Sequence, residues 1–230
     1  MITKNITVEN YPGHFPLIDA SDNLSPAFSV GNIGTCKISG LIIKGSYALG
    51  ESSHFGQANI VNWNDALLTV ENCELYDFNH CGIKMFGGRL IARDNVVRNG
   101  GWTFQDHGIY LATGDTGGHE ITGCEIYGCS GWGIHAYSYE YDAIISANNI
   151  HDNFGGIVIT GERHQVLNNQ IGNNIGGNGI YFFHYGLIDL IVTGNQCAGN
   201  TPYDLRLDAS EGEGFTNCTI ENNTGVTNLP

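Results

Sequence analysis

Three side chains able to hold charge or move protons occupy one position of a segment that recurs along the chain. The segment reads Gly-Ile-x-apolar, and its x position is Lys84, Tyr110 and His135 in three successive copies. Asp106 and His107 stand just before the second copy. A cation can neutralise a carboxylate while imidazole and phenol groups exchange a proton with a neighbouring carbon. These five residues are therefore our candidate catalytic residues.

Aromatic and cationic residues around the same segments are candidates for binding. Two loops that follow copies of the segment are rich in aromatic residues, and tryptophans precede two copies. Loops on one edge of a rigid scaffold often carry binding residues, and aromatic faces can stack on sugar rings. The alternative is an ordinary solvated face with aromatics that favour strands. The candidate substrate-binding residues are Trp102, Trp132, Tyr137, Tyr139, Tyr181, His184 and Arg206.

The segment recurs with a nearly fixed period, and this period indicates the fold. Six copies start at intervals of 26, 25, 23, 23 and 25 residues, the last copy reading DLRLD from Asp204. Such a period is typical of one supersecondary unit that is copied and stacked. Equivalent positions of stacked units form columns, so each side chain can be compared with its neighbours one period away.

Within each period the pattern predicts strands rather than helices. Segments of four to six residues alternate between apolar and polar side chains, and Asn, Gly and Asp separate them. Three strands per period predict an all-β, single-stranded parallel β-helix of roughly eight coils, with one domain over 1–230 and a repeat core at about 32–225. We expect two inward apolar columns and an internal asparagine ladder. The first column is Ile83, Ile109, Ile134, Ile157, Ile180 and Leu205; the second is Met85, Leu111, Ala136, Ile159, Phe182 and Leu207; the ladder is Asn95, Asn148, Asn169, Asn195 and Asn222, with Cys73 and Cys124 in its column.

The repeats from about Leu67 to Leu207 resemble those of right-handed parallel β-helix proteins, the superfamily of pectate lyases, alginate lyases and epimerases, and phage tailspikes. The Lys, His, Tyr and Asp set is similar to that of β-helix mannuronate epimerases and some alginate lyases. The resemblance implies β-elimination or C5 epimerisation of a uronic-acid polysaccharide, with Lys84 or Arg206 neutralising the carboxylate. Those epimerases carry Asp-Pro-His, whereas this chain has Gln105, Asp106 and His107, so only the last two can be transferred.

Two other functional classes remain open. The first is a non-catalytic rod, such as a tailspike-like adhesin or a carbohydrate-binding scaffold, in which aromatics spread over several coils. The second is a glycoside hydrolase with a carboxylate pair drawn from Asp106, Glu140 and Asp142. An enzyme requires its polar residues to converge at one place, which separates it from the binding rod.

Composition narrows the partners. With 9 basic and 23 acidic residues the net charge is −14, which argues against nucleic acid as a partner because that partner requires a basic surface. No cofactor is certain; calcium is compatible with two acidic runs, Asp19 to Asn23 and Glu211 to Glu213, although neither matches a calcium loop. We expect most of the seven cysteines to be buried and reduced.

The sequence also leads to expectations about location and assembly. No apolar run is long enough to span a bilayer, and no signal peptide is predicted at MITKNITVEN. An extracellular, cell-surface or virion location is expected from the resemblance. The open ends of a β-helix are unpaired sheet edges, so self-association or flanking domains are expected to cover them.

Overall fold

The chain is built from short strands. The computed structural model describes residues 5–21, 26–31, 34–45, 58–113, 116–137, 140–183, 186–208 and 214–229, and within these ranges it has 25 strands and no helix. The strands are β1 (Asn5–Glu9), β2 (Leu17–Asp19), β3 (Phe28–Val30), β4 (Thr35–Ser39), β5 (Ile42–Lys44), β6 (Ala58–Asn62), β7 (Leu67–Glu71), β8 (Glu74–Tyr76), β9 (Cys81–Met85), β10 (Arg89–Arg93), β11 (Val96–Arg98), β12 (Ile109–Leu111), β13 (Glu120–Thr122), β14 (Glu125–Tyr127), β15 (Trp132–Ala136), β16 (Ile144–Ser146), β17 (Asn149–His151), β18 (Gly155–Ile159), β19 (Gln165–Leu167), β20 (Gln170–Gly172), β21 (Ile180–Phe182), β22 (Ile191–Thr193), β23 (Gln196–Ala198), β24 (Leu205–Leu207) and β25 (Thr219–Glu221).

Every third strand along the chain stacks on the same sheet. Sheet 1 contains β1, β4, β7 and so on to β25; sheet 2 runs from β2 to β23 and sheet 3 from β3 to β24. All pairings between these strands are parallel, as in β9 with β12 and β12 with β15. The chain therefore winds as a three-sided parallel β-helix, which confirms the predicted fold class. None of the described residues forms a helix long and apolar enough to cross a membrane.

The two predicted apolar columns lie on the inward face of sheet 3. In the first, Ile83, Ile109 and Ile134 pair one coil above another and are fully buried. The second column, from Met85 to Phe182, is equally buried, and Leu207 at its end is 8% exposed. Because apolar residues stack on apolar residues in successive coils, one continuous core runs along the rod. Burial of this apolar surface is the main contribution to the stability of the fold.

From β4 onward, the turn that follows each strand of sheet 1 has one residue in the left-handed backbone region, and the next residue points inward. Positive φ occurs at Asp94, Asn168 and Asn222 in this turn. Asn169 then accepts hydrogen bonds at Oδ1 from the backbone and side-chain amides of Asn148, both at 3.0 Å. The predicted asparagine ladder is confirmed. Its last member was predicted one residue too early: Asn195 donates to Asn223, because Asn222 is the turn residue.

A second internal ladder, which we did not predict, runs through the turn after sheet 2. Cys129 N–H donates to Asn153, Asn153 to Asn174, and Asn174 to Asn200, over 3.0 to 3.1 Å. These residues again follow a left-handed turn position, such as Asp152. All seven cysteines are free, and six of them are buried, as predicted.

The described chain ends in open sheet edges. Strands β1 and β25 lie at the two ends of sheet 1 and each pairs on one side only among the described residues. That self-association or flanking domains cover these edges stays a prediction.

Candidate functional site

The outer face of sheet 3 brings together three of the candidate catalytic residues. Tyr110 in β12 pairs in register with Lys84 of β9 on one side and His135 of β15 on the other. The column continues through Val158, Tyr181 and Arg206. Because the strand period is two, the inward apolar residues on either side fix these side chains to the outside of the coil. A cation, a phenol and an imidazole therefore lie on three adjacent coils.

The column is less exposed than the sequence suggested. We expected it to face solvent, but Lys84 is only 6% exposed and Val158 only 2%. The Lys84 ammonium lies 4.8 Å from the ring centre of Phe86 and 5.3 Å from that of Tyr110. Burial lowers the pKa of Lys84, and burial also raises the pKa of the neighbouring Cys81 thiol to about 11. The cation is thus held in a largely apolar setting, where its field is poorly screened.

Two imidazoles are hydrogen-bonded to each other behind Tyr110. His107 Nε2 and His135 Nδ1 are 2.9 Å apart, and the backbone N–H of Trp132 donates to His107 Nδ1 over 3.2 Å. Burial lowers the pKa of His107 to about 3, and it lowers that of His135 well below its usual value. His135 Nε2 is buried and has no hydrogen-bond partner in the described part of the chain.

The Tyr110 ring joins the lysine to the histidines. Its centre is 5.1 Å from that of His107 and 5.3 Å from that of His135. Burial raises the pKa of Tyr110 above its usual value, so the phenol carries its proton at neutral pH. Tyr137 contacts the same group, with its ring perpendicular to His135 at 5.4 Å. We call Lys84, Tyr110, His107 and His135 the sheet 3 cluster.

Asp106 has a different role from the one that its sequence position suggested. Its Oδ2 accepts from the backbone N–H groups of Trp102 at 2.8 Å and Thr103 at 2.7 Å, and its Oδ1 contacts His80 Nδ1. Burial alone would raise the pKa of Asp106, but these hydrogen bonds outweigh it and the pKa is lowered. Both oxygens are occupied, so this buried carboxylate anchors the loop that presents His107.

His80 is a residue that the sequence analysis missed. It stands two residues before Gly82, as Asp106 stands two residues before Gly108, and these glycines belong to paired coils. The shared repeat position places the imidazole next to the carboxylate, one coil away. Comparing columns outside the Gly-Ile-x-apolar segment would have found this pair.

Tyr181 and Arg206 form a separate group, divided from the sheet 3 cluster by Val158. Tyr181 Oη donates to Asp208 Oδ2 over 2.6 Å, and the Arg206 guanidinium lies 5.2 Å from the Tyr181 ring centre. Trp132 stacks on Tyr181 at 5.6 Å and is only 8% exposed. Little of the Trp132 indole is therefore open to a ligand, because the ring packs against Tyr181 and Phe154.

Three aromatic side chains in the segments just before β12 and just after β15 are exposed. Trp102 is 58% exposed and Tyr137 is 43% exposed. Phe104, which we had not selected, is 57% exposed. Trp102 borders a shallow groove at the end of sheet 2, next to Lys44 and Asn99, rather than the sheet 3 cluster. The predicted binding residues Tyr139 and His184 lie outside the described residues.

The carboxylates proposed for a hydrolase are engaged in hydrogen bonds or ion pairs within the protein. Glu140 is 1% exposed and accepts hydrogen bonds from Thr113 and His119. Asp142 is exposed and pairs with Arg163 at 2.8 Å. With Asp106 also buried, the hydrolase pair is not supported.

Among the residues described, no group of three His, Cys, Asp or Glu side chains could hold a metal. In the first acidic run, Asp19 Oδ1 accepts a hydrogen bond from the backbone N–H of Ser21, and Asp19 Oδ2 lies 3.5 Å from Lys44 Nζ. The other residues named for calcium, Asp22, Asn23, Glu211 and Glu213, fall outside the described ranges.

Comparison with known proteins identifies similar chains. The family profile described as "right handed beta helix region" matches residues 4–138 and 107–228. The structure is similar to the A-module of the Azotobacter vinelandii mannuronan C-5 epimerase AlgE6, with a TM-score of 0.60 and 15% identity over 85% of this chain and 65% of that one. It is also similar to a mutant of the periplasmic alginate epimerase AlgG, with a TM-score of 0.53 and 11% identity over 95% of this chain and 55% of that one. The chain thus spans less than two thirds of either structure, and no curated protein sequence matches it.

Proposed function

The chain belongs to the right-handed β-helix family, and from that premise we propose that it is a carbohydrate-active protein that binds an acidic polysaccharide on the outer face of sheet 3. There it removes the C5 proton of a uronic-acid residue, and the outcome is epimerisation or β-elimination. Because such a polymer lies outside cells, the proposal includes an extracellular, cell-surface or virion location.

The observation that carries the proposal is the convergence of Lys84, Tyr110 and His135 on three paired coils. Each can donate a hydrogen bond, and Lys84 also carries charge in a setting of low polarity. Donors gathered around a buried cation suit a carboxylate ligand. They also give the otherwise acidic rod one local site for an anion.

The chemistry follows from the acidity of the C5 proton, which is weak until the carboxylate beside it is neutralised. Lys84 would face that carboxylate and stabilise the negative charge that develops when the proton passes to the phenolate form of Tyr110, in the paired strand. The electron pair left at C5 can then take a proton from solvent on the opposite face, which gives the epimer. Alternatively it can form a double bond to C4 and expel the glycosidic oxygen, which gives chain cleavage.

The reported structural neighbours direct the choice of polymer. Their names specify mannuronan and alginate epimerases, so mannuronan and alginate stand first in a panel that also holds polygalacturonate and a glucuronate polymer. Incubation in D₂O separates the outcomes: epimerisation places deuterium at C5 without shortening the chain, and elimination produces unsaturated ends that absorb ultraviolet light. A panel with neither product would refute the catalytic proposal.

A second candidate function, non-catalytic carbohydrate binding, is favoured by a different observation. Trp102, Phe104 and Tyr137 expose large parts of their rings on neighbouring coils. Binding of a polymer without deuterium uptake or cleavage, and weakened in steps by Trp102→Ala and Tyr137→Ala, would establish this function instead.

A further inference from the structure

The hydrogen bonds of the sheet 3 cluster fix which nitrogens carry protons. A backbone N–H can only donate, so the 3.2 Å bond from Trp132 makes His107 Nδ1 an acceptor. A neutral His107 then carries its proton on Nε2. That proton points along the 2.9 Å contact to His135 Nδ1. The direction of the second bond therefore follows from the first.

The same reasoning passes on to His135. Since its Nδ1 accepts from His107, a neutral His135 must carry its own proton on Nε2. This is the nitrogen that is buried and has no partner among the described residues. Protonating His135 at Nδ1 as well would leave two N–H groups facing each other, unless His107 gave up the bond from Trp132.

We infer that His107 is a positioning residue: it holds His135 in the tautomer whose Nε2–H donates to a substrate carboxylate oxygen, and His135 does not act as the base. This inference rests on the proposed function for the identity of its ligand. It changes the roles expected from the sequence, in which both histidines exchange protons. Lys84 neutralises the carboxylate, so Tyr110 is the cluster group that remains to accept the C5 proton, and it does so as the phenolate; because burial raises the pKa of Tyr110, this form becomes more abundant as pH rises.

The groups around His135 leave its Nε2–H without an acceptor among the described residues. Besides His107, the rings that contact it are those of Tyr110 and Tyr137. Two charged groups, Asp106 and Lys84, act on His107 in opposite directions: Asp106 raises its pKa and Lys84 lowers it. Nε2 is covered, so a carboxylate reaches it after a ring has turned, and Tyr137 is the more exposed of the two rings. Side-chain rotation of exposed residues takes only nanoseconds or less.

The tautomers are measured directly by long-range ¹H–¹⁵N correlation spectra of the wild-type protein, with His135→Gln used to assign the signals. We expect both rings to be neutral through the neutral pH range, each with a protonated Nε2 and an unprotonated Nδ1. A proton on Nδ1 of His135, or a His135 that becomes cationic in this range, would overturn the inference whether or not any polymer binds.

The ligand role is tested by titrating the protein with mannuronate oligomers. The Nε2 signal of His135 should shift, and His107→Leu should weaken affinity about 10- to 100-fold through loss of one charge-assisted hydrogen bond. His107→Gln keeps an amide N–H that can face His135 and should bind within about threefold of wild type. His151→Gln removes an imidazole of sheet 2 and serves as the control, which should bind like the wild type.

Two results would contradict the donor role. One is an affinity of His135→Leu or His107→Leu equal to wild type, in variants whose melting temperature shows that they are folded. The other is no binding of any uronic-acid oligomer; the proposed function then fails and the donor role fails with it, while the tautomer measurement still stands on its own.

Discussion

Removing one rung of the asparagine ladder should be among the most damaging single changes in the rod. Asn169 is fully buried and makes four side-chain hydrogen bonds. Its Oδ1 accepts from the backbone and side chain of Asn148, and its Nδ2 donates to Ile145 O at 3.0 Å and to Asn195 Oδ1 at 2.9 Å. Alanine at this position removes all four at once.

The expected cost follows from the groups left without a partner. Asn148 Nδ2 keeps a bond to Ile121 O, and Asn195 Oδ1 keeps the Asn169 backbone N–H. The Asn148 N–H and the Ile145 carbonyl lose their side-chain partner. At about 1–3 kcal/mol for each unsatisfied buried group, Asn169→Ala should cost about 4 kcal/mol. That is a large fraction of the roughly 5–15 kcal/mol that stabilises a domain.

Urea unfolding followed by circular dichroism measures this free energy. Gln170→Ala is the matched control, because its amide is exposed in the neighbouring β20, and it should stay within about 0.5 kcal/mol of wild type. Asn169→Cys should fall between the two, since thiols already occupy this column at Cys73 and Cys124. A cost for Asn169→Ala that matches Gln170→Ala would refute the argument that the ladder stabilises the stack.

Three further predictions use the same unfolding assay. Lys84→Met should leave stability unchanged or raise it by about 1 kcal/mol at pH 7, because relief of the buried charge offsets the lost ring contacts. Folding lowers the pKa of Lys84, so its ammonium destabilises the fold at neutral pH, and this penalty disappears above the unfolded value of 10.5. If Lys84→Met instead loses more than about 1 kcal/mol of unfolding free energy at pH 7, the cation stabilises the fold. Asp106→Asn should lower the free energy of unfolding by about 1–3 kcal/mol at pH 7. Because folding lowers the pKa of Asp106, the difference from wild type should shrink as pH falls below 3.8 and through the folded value. A difference that stays constant with pH would contradict this prediction. Ala147 has a left-handed φ of 54°, so Ala147→Asn should stabilise the chain by about 0.5–1 kcal/mol, and an unchanged midpoint would count against this.

The period of the sequence was sufficient to predict the fold because stacked coils repeat their environments. Once the spacing of Gly82, Gly108 and Gly133 is recognised, the inward isoleucines and the asparagine ladder follow from position alone. The error at Asn222 shows the limit of this reasoning. Two adjacent asparagines are equivalent in composition, and only the backbone at the turn decides which one points inward.

The candidate site was harder to predict, because a column fixes direction but not burial. The sequence placed Lys84, Tyr110 and His135 on one face, and the pairing of the strands agrees. It could not show that Phe86 and Tyr110 cover the lysine, or that Asp106 bonds its own loop and His80. Those contacts depend on how side chains and loops pack across coils, which no periodicity encodes.

The most direct test of the account is the uptake of deuterium at C5 of mannuronan, followed by NMR in D₂O, with wild type compared to Tyr110→Phe. The wild type should exchange the C5 proton, and Tyr110→Phe should lower the rate at least about 100-fold, the usual effect of removing a group that transfers a proton. Tyr127→Phe, a half-buried phenol of sheet 2, should exchange like the wild type. No exchange in the wild type with any uronic-acid polymer, or equal rates in wild type and Tyr110→Phe, would contradict the proposed chemistry at sheet 3.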